Sequence, residues 1–198
     1  MARATKKELE IKLLIDSREA DVKYVNGVLD SRIGKDGIKI SEYEVCTVKP
    51  LDVNTGKACK TSTGDIGFMY REKGSDSEWI LSNFCIERKG GLDLFSSLYS
   101  KANNERLQNE ILRAKEYGLS FYFVCDNTLS DTIAQVKKVP KLKMTNCENT
   151  HFEQLIKFNR FLTDNGFDGI IVSGKEIAWT IRRLIKKYIK DNKLQYKI

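Results

Sequence analysis

Residues 83–98 read NFCIERKGGLDLFSSL: an apolar run that ends in Glu-Arg-Lys, turns at two glycines and presents another acid at Asp93. In an extended chain alternate residues share a face, so Glu87 and Lys89 point one way and Arg88 the other. Such a strand end is either a solvated rim or a place where chemistry is done. What the rest of the chain brings to that end decides between them.

Outward from this stretch, DIGFMYR (65–71) and EWILSNFCIERK (78–89) flank the turn-forming EKGSDS and read as a hairpin. EIKLLID (10–16) reads as a buried strand. The spacing of Val22, Val25, Leu29 and Ile33 predicts a helix over 17–33, capped by Ser17 and stopped by GKDG. ISEYEVCTV (40–48) alternates as a strand, and 49–64, rich in Gly, Thr and Lys, reads as a loop or wide hairpin. After the double glycine LDLFSSLYS starts a helix, and NERLQNEILRAKEYG (104–118) forms another with Leu107, Ile111 and Ala114 on one face. SFYFVCD (120–126) and FDGIIVS (167–173) read as strands around an amphipathic helix at 151–166. Segment 127–150 is the least regular, with VKKVPKLKM read as a surface loop. A last helix carries Ile177, Ile181, Leu184, Ile185 and Tyr188 on one stripe. The order is strand, helix, three strands in a meander, helices, strand, helix, strand, helix. It predicts an α/β domain with a mixed central sheet flanked by helices.

A chain of 198 residues without repeat, low-complexity tract or linker is read as one domain. It has no apolar stretch near the roughly 20 residues of a membrane helix. MARATKKELE has basic residues with no apolar signal region behind them, which predicts an intracellular protein, cytoplasmic or, in a eukaryote, nuclear. Five widely spaced cysteines without a C-x-x-C pair argue against a disulfide framework or a zinc site and for reduced, mostly buried thiols. The single histidine, His151, excludes mechanisms needing two imidazoles and is read as a helix-start or surface residue.

The net charge is +7, and residues 175–198 alone hold eight Lys or Arg against two acids, a net of +6. Such a terminus suits a polyanion, where neutralised phosphates supply affinity, and equally suits a solvated helix face.

Asp65 opens the strand before the charged one, Asp93 enters the first turn of the next helix, and Asp16 and Glu19 sit where the first strand ends. Acids at neighbouring strand ends can converge, with Lys89 among them. Their oxygens are hard ligands suited to Mg²⁺ or Mn²⁺, and a divalent ion resolves their mutual repulsion. Such an ion orients a phosphate and lowers the pKa of a bound water. Taken singly, each of these acids is better explained as a turn or a helix boundary.

Taken in order, IDSRE (15–19), GD (64–65) and IERKGGLDL (86–94) resemble the nuclease signature of the XPF/Hef group of structure-selective DNA endonucleases, within the PD-(D/E)XK superfamily. The resemblance implies a restriction-endonuclease-like core with metal-dependent phosphodiesterase activity, preferring branched, flapped or junction DNA. It implies an acidic cluster of Asp16, Glu19, Asp65, Glu87 and Asp93. Metal ligands would come from Asp65, Glu87, Asp16 and Asp93, and Lys89 would be base or electrophile. Arg88 would brace the site through a carboxylate; Arg18 would do likewise or touch phosphate. The chain carries none of the tandem helix-hairpin-helix motifs that many members append. Grip on DNA is therefore expected from Lys57 and Lys60 of the 49–64 loop, from Arg182, Arg183, Lys186 and Lys187, or from a partner. The stripe at 177–188 is expected to pack on its own sheet, with homodimer or heterodimer pairing through the C-terminal helices as the other use. A non-catalytic DNA-binding or adaptor protein on the same fold, and a general restriction-type or recombination nuclease, are the rival readings.

Overall fold

The computed structural model describes residues 7–19, 24–30, 34–137 and 147–195. Its strands are β1 (Leu9–Asp16), β2 (Ile38–Cys46), β3 (Leu51–Asp52), β4 (Lys57–Ala58), β5 (Ile66–Glu72), β6 (Ile80–Leu81), β7 (Phe84–Lys89), β8 (Ser120–Cys125) and β9 (Ile171–Val172). Its helices are α1 (Val25–Val28), α2 (Gly91–Tyr99), α3 (Lys101–Glu116), α4 (Leu129–Lys137), α5 (Cys147–Asp164) and α6 (Ile177–Asp191). Seven strands form one mixed sheet in the order β2-β1-β5-β7-β8-β9, with β6 also on β5. β3 and β4 form a separate hairpin.

The expected α/β sheet with flanking helices is present, but the meander is not. β2 lies parallel to β1 at the sheet edge, and β1 separates it from β5. The burial of the two strands explains the choice. β1 is buried on both faces from Leu13 to Asp16, as a central strand must be, whereas β2 exposes Glu42, Tyr43, Glu44 and Val45. β5 runs antiparallel to both β1 and β7, while β7, β8 and β9 run parallel. The carboxyl ends of β1, β7 and β8 therefore meet the amino end of β5 at one edge of the sheet.

Alternation along the strands divides the core in two. Leu9, Ile11, Leu13, Ile15, Phe68, Phe84, Ile86 and Val124 pack under α1 and α6, where Ile181, Leu184, Ile185, Tyr188 and Ile189 close the layer. The ring of Tyr188 stands edge-on to Phe68 and Phe84 at 5.4 and 5.5 Å. The α6 stripe thus packs on its own sheet. On the other face Cys85, Phe121, Phe123 and Cys125 meet Leu94 and Leu98 of α2, Leu107, Ile111 and Ala114 of α3, and Phe158 and Leu162 of α5.

Three local readings change. The helix expected over 17–33 is reduced, among its described residues, to the four residues of α1. Leu29 is extended, and Asp30 spends its backbone N–H on Ile40 O (2.8 Å) and its carboxylate on the N–H of Ile40 (3.1 Å). Asn26 and Gly27 add little helix propensity to oppose that tertiary pull. Segment 127–150 is helical at both ends, as α4 and the start of α5; most of VKKVPKLKM lies outside the described residues. The strand expected at 167–173 shrinks to β9, because Asn159 Oδ1 takes the Ile170 N–H (2.9 Å) from the ladder. The 49–64 segment is the expected wide hairpin, tied by Val53 N–H to Tyr117 O (3.0 Å) and by Asn54 Nδ2 to Glu116 O (2.7 Å). No helix among the described residues is long and apolar enough to cross a membrane.

Candidate active site at the carboxyl edge of the sheet

The three motif segments are bonded directly to one another. Asp16 donates its N–H to Asp65 O (2.8 Å), Asp65 donates its N–H to Ile86 O (2.8 Å), and the Arg88 N–H returns to Asp65 Oδ2 (2.7 Å). Gly64 makes this approach possible. Its φ is +74°, and a Cβ there would collide with Cys85 Sγ and lie 2.8 Å from Ile86 O. At the far side, a Cβ on Gly91 would strike Thr132 Oγ1, while its N–H donates to Asn127 Oδ1 (3.1 Å). The double glycine lets α2 start against the segment after β8, and so places Asp93.

The alternation of β7 sends its charges to opposite faces. Glu87 follows Cys85 onto the α3 side and is 3 % exposed, and Lys89 pairs with it there. Arg88 follows Ile86 onto the α1 side. There its guanidinium holds Glu19 (2.8 Å) and Asp126 (2.9 Å) and stacks over the Tyr24 ring at 5.0 Å. Arg88 therefore braces the strand ends through two carboxylates.

The result is a cleft of about 350 Å³ walled by Asp65, Glu87, Lys89, Asp93, Glu19, Arg18 and Ser62 on the sheet side. α3 contributes Arg106, Glu110 and Arg113 to it. Burial pushes the Asp65 carboxyl up to about 6, against the opposing pull of Lys89 and the Arg88 N–H. Burial first, then the charges of Asp65 and Glu110, push Glu87 well above the ordinary carboxylate range. Burial works against the Lys89 ammonium, yet Glu87 and Asp65 outweigh it and raise its pKa. The cleft floor thus sets two carboxyls, each raised by burial, beside a single lysine.

Asp16 is not one of these carboxyls. Arg18 clamps its carboxylate through Nε (2.7 Å), Nη2 (3.1 Å) and the backbone N–H (2.9 Å), and Ser62 Oγ donates to it at 3.1 Å. Burial alone would raise Asp16; the Arg18 hydrogen bonds hold it below its ordinary value. Asp16, 1 % exposed, is thus held by Arg18 and Ser62, which is the bracing contact expected of Arg18. Asp93 is exposed on the cleft wall, with its charge felt by Asp126.

Sequence reasoning missed Glu110. Its Oε1 accepts the Gly64 N–H (2.9 Å), anchoring the turn that delivers Asp65, and its charge reaches both Asp65 and Glu87. The signal was available in NERLQNEILRAKEYG: with Leu107, Ile111 and Ala114 turned to the core, Arg106, Glu110 and Arg113 occupy the flank at i, i+4 and i+7.

The basic residues expected to meet DNA separate into two groups. Lys57 and Lys60 are exposed on the β3–β4 hairpin. On α6, Arg182 pairs with Asp30, Lys186 with Asp36 (2.7 Å) and Lys187 with Asp168 (3.5 Å), while Arg183 lies over the Trp179 ring at 5.3 Å. His151 is neither at a helix start nor on the surface. It is 1 % exposed inside α5, 5.1 Å from the Phe95 ring, and lines a separate apolar pocket of about 470 Å³.

The donor chemistry of the cleft suits a hard cation: two buried carboxylates with raised pKa, and no thiol or imidazole on the wall. Among the described residues no group of three acids, thiols or imidazoles stands ready to hold a metal alone. Mg²⁺ commonly takes one or two carboxylates and completes its shell with water and substrate phosphate, so Asp65 and Glu87 are a sufficient protein share.

No protein-family model matches the chain, and no curated protein matches it. Among solved structures, XPF from Aeropyrum pernix is similar over 92 % of this chain and 68 % of that one, with 14 % identity and a TM-score of 0.48.

Proposed function

We propose that the cleft is a divalent-metal-dependent phosphodiesterase site that cuts DNA, with a preference for branched, flapped or junction structures. The observation that carries this reading is the convergence of Asp65, Glu87 and Lys89 at one sheet edge, with both carboxyls held above their ordinary range. Uncompensated buried carboxylates destabilise a fold unless a cation or a proton joins them.

Asp65 and Glu87 would hold Mg²⁺ or Mn²⁺. The bound ion would supply Lewis acidity toward the phosphate and a nucleophilic water near neutral pH. Asp65 is fixed for this by the Arg88 N–H, and its turn by Glu110. Lys89 has a raised pKa and stays protonated at neutral pH, so it acts as an electrophile and hydrogen-bond donor to a phosphate oxygen, not as the base. Arg88 and Arg18, tied to Glu19, Asp126 and Asp16, keep the strand ends in register. The preference for branched DNA rests on the sequence resemblance, as does action in repair, recombination or replication.

A second reading, a non-catalytic DNA-binding or adaptor protein, is favoured by one observation: Lys89 is already ion-paired to Glu87, so the cleft partly supplies its own cation. The test is cleavage of labelled splayed-arm, flap, four-way-junction and linear duplex DNA with Mg²⁺, Mn²⁺ or EDTA. The expected result is metal-dependent cutting near a branch, lost by about a thousandfold or more in Glu87→Gln with folding retained. Binding of these DNAs without cutting under either metal would establish the adaptor reading instead.

A further inference from the structure

Most cations of the cleft are spoken for. Arg18 is held by Asp16, Arg88 by Glu19 and Asp126, and Lys89 by Glu87. Arg106 and Arg113 of α3 are different: among the described residues neither has a carboxylate within ion-pair distance. The Nε of half-buried Arg113 is shielded from water without a hydrogen-bond partner. Glu110 lies between them on the same helix flank, but its Oε1 accepts the Gly64 N–H. The shielded Nε of Arg113 lacks a partner that an anion in the cleft would supply, and the planar fork of either guanidinium suits phosphate.

Their spacing fits a particular anion. Seven residues of helix separate the two Cα atoms by about 10 Å along the axis. Phosphates of one strand of a duplex advance about 3.4 Å along its axis per nucleotide, so on a duplex lying along α3 two arginines at that separation would bracket about three steps. Glu110, between the two arginines on the helix, accepts the N–H of Gly64 next to Asp65, and Asp65 and Glu87 line the same cleft.

We propose that α3 is the strand-binding wall of the site: Arg106 and Arg113 each grip a backbone phosphate, one on either side of the phosphate to be cut. The inference rests on the nuclease reading of the cleft, yet it concerns binding and can be tested without cleavage. Arg106 is exposed, so its replacement leaves the core untouched; the half-buried Arg113 is controlled by a charge-preserving variant.

The experiment measures binding of a four-way junction by fluorescence anisotropy in EDTA over a salt series. It compares wild type, Arg106→Gln/Arg113→Gln and Arg106→Lys/Arg113→Lys. The double glutamine variant should bind several-fold more weakly, and its log K against log salt slope should be shallower by about 1.8, roughly 0.9 per lost phosphate contact. The double lysine variant should recover most of the slope. A glutamine variant with the wild-type slope overturns the inference and leaves the proposed function standing if wild type still cuts. A shallower slope in a protein that never cuts supports the wall and removes the nuclease reading.

Discussion

The cleft and the outer face of α6 are both rich in charge, and they differ in where each charge finds its partner. On α6 the cations meet acids from separate segments at half-open surfaces: Arg182 with Asp30, Lys186 with Asp36, and Lys187 with Asp168, the last pair 50 % and 60 % exposed. In the cleft the Arg88–Glu19 pair is buried, at 14 % and 10 % exposed, Arg18 reaches from the surface to a buried Asp16, and the groups do not pair off one to one. Two raised carboxyls share one lysine on the floor, and unpaired arginine remains on the wall. A net charge of +6 over the last 24 residues therefore says little about where free charge lies. Among the described residues, folding pairs three cations of the conspicuous patch and leaves the two α3 arginines of the inconspicuous one without an acid partner.

The sharpest way to break this contrast is to remove a brace from each region. Arg88→Ala leaves Glu19 and Asp126 without their shared partner in a buried setting and should cost about 3 kcal/mol or more. Lys187→Ala removes an exposed pair and should cost about 1 kcal/mol or less. Denaturant unfolding of both variants checks this; equal losses would mean that the two sets of pairs are energetically alike.

The raised carboxyls of the cleft floor make a second prediction, in pH. The Asp65 carboxyl rises from 3.8 to about 6 on folding, so between those values the unfolded chain is ionised while the folded chain holds its proton. This group therefore destabilises the fold progressively as pH rises from about 4 to about 6, and the loss persists above. Asp65→Asn keeps an oxygen for the Arg88 N–H and removes the charge. It should raise the melting temperature at pH 8 by a few degrees, with a much smaller gain at pH 4, while abolishing cleavage. A variant less stable than wild type at pH 8 would show that Lys89 fully compensates the floor.

The smallest effect is expected on α6. Arg182→Gln with Lys186→Gln should leave the salt slope of DNA binding within about 0.3 of wild type, because those cations already have acid partners. A slope change as large as that of the α3 variants would restore α6 as the DNA-binding face.

Much of the site was legible because its parts lie on strands, whose period of two is rigid. From IERK alone, Glu87 and Lys89 fall on one face and Arg88 on the other, as found. The order of IDSRE, GD and ERK along the chain could not show that β1 would enter between β2 and β5. That choice depends on which strand is buried on both faces, a tertiary property. Nor could it show that Asp16 would be consumed by Arg18 two residues on, since an acid bracing its neighbour and an acid facing a cleft have the same letters. Periodicity does put Glu110 and the two arginines on one flank, but on a charged helix flank residues that face a cleft look like residues that face water. The shortness of the 17–33 helix among its described residues is of the same kind, its periodicity outweighed there by the bonds of Asp30 to Ile40 and Arg182.

The most direct measurement is Mn²⁺ binding followed by electron paramagnetic resonance, for wild type and Glu87→Gln, with and without a phosphorothioate junction that resists cutting. Wild type should immobilise Mn²⁺, more tightly with DNA present, and should release protons as it does so at pH 6. Glu87→Gln should immobilise far less. Equal Mn²⁺ binding by the two proteins, or none by wild type in either condition, would contradict a metal centre on Asp65 and Glu87.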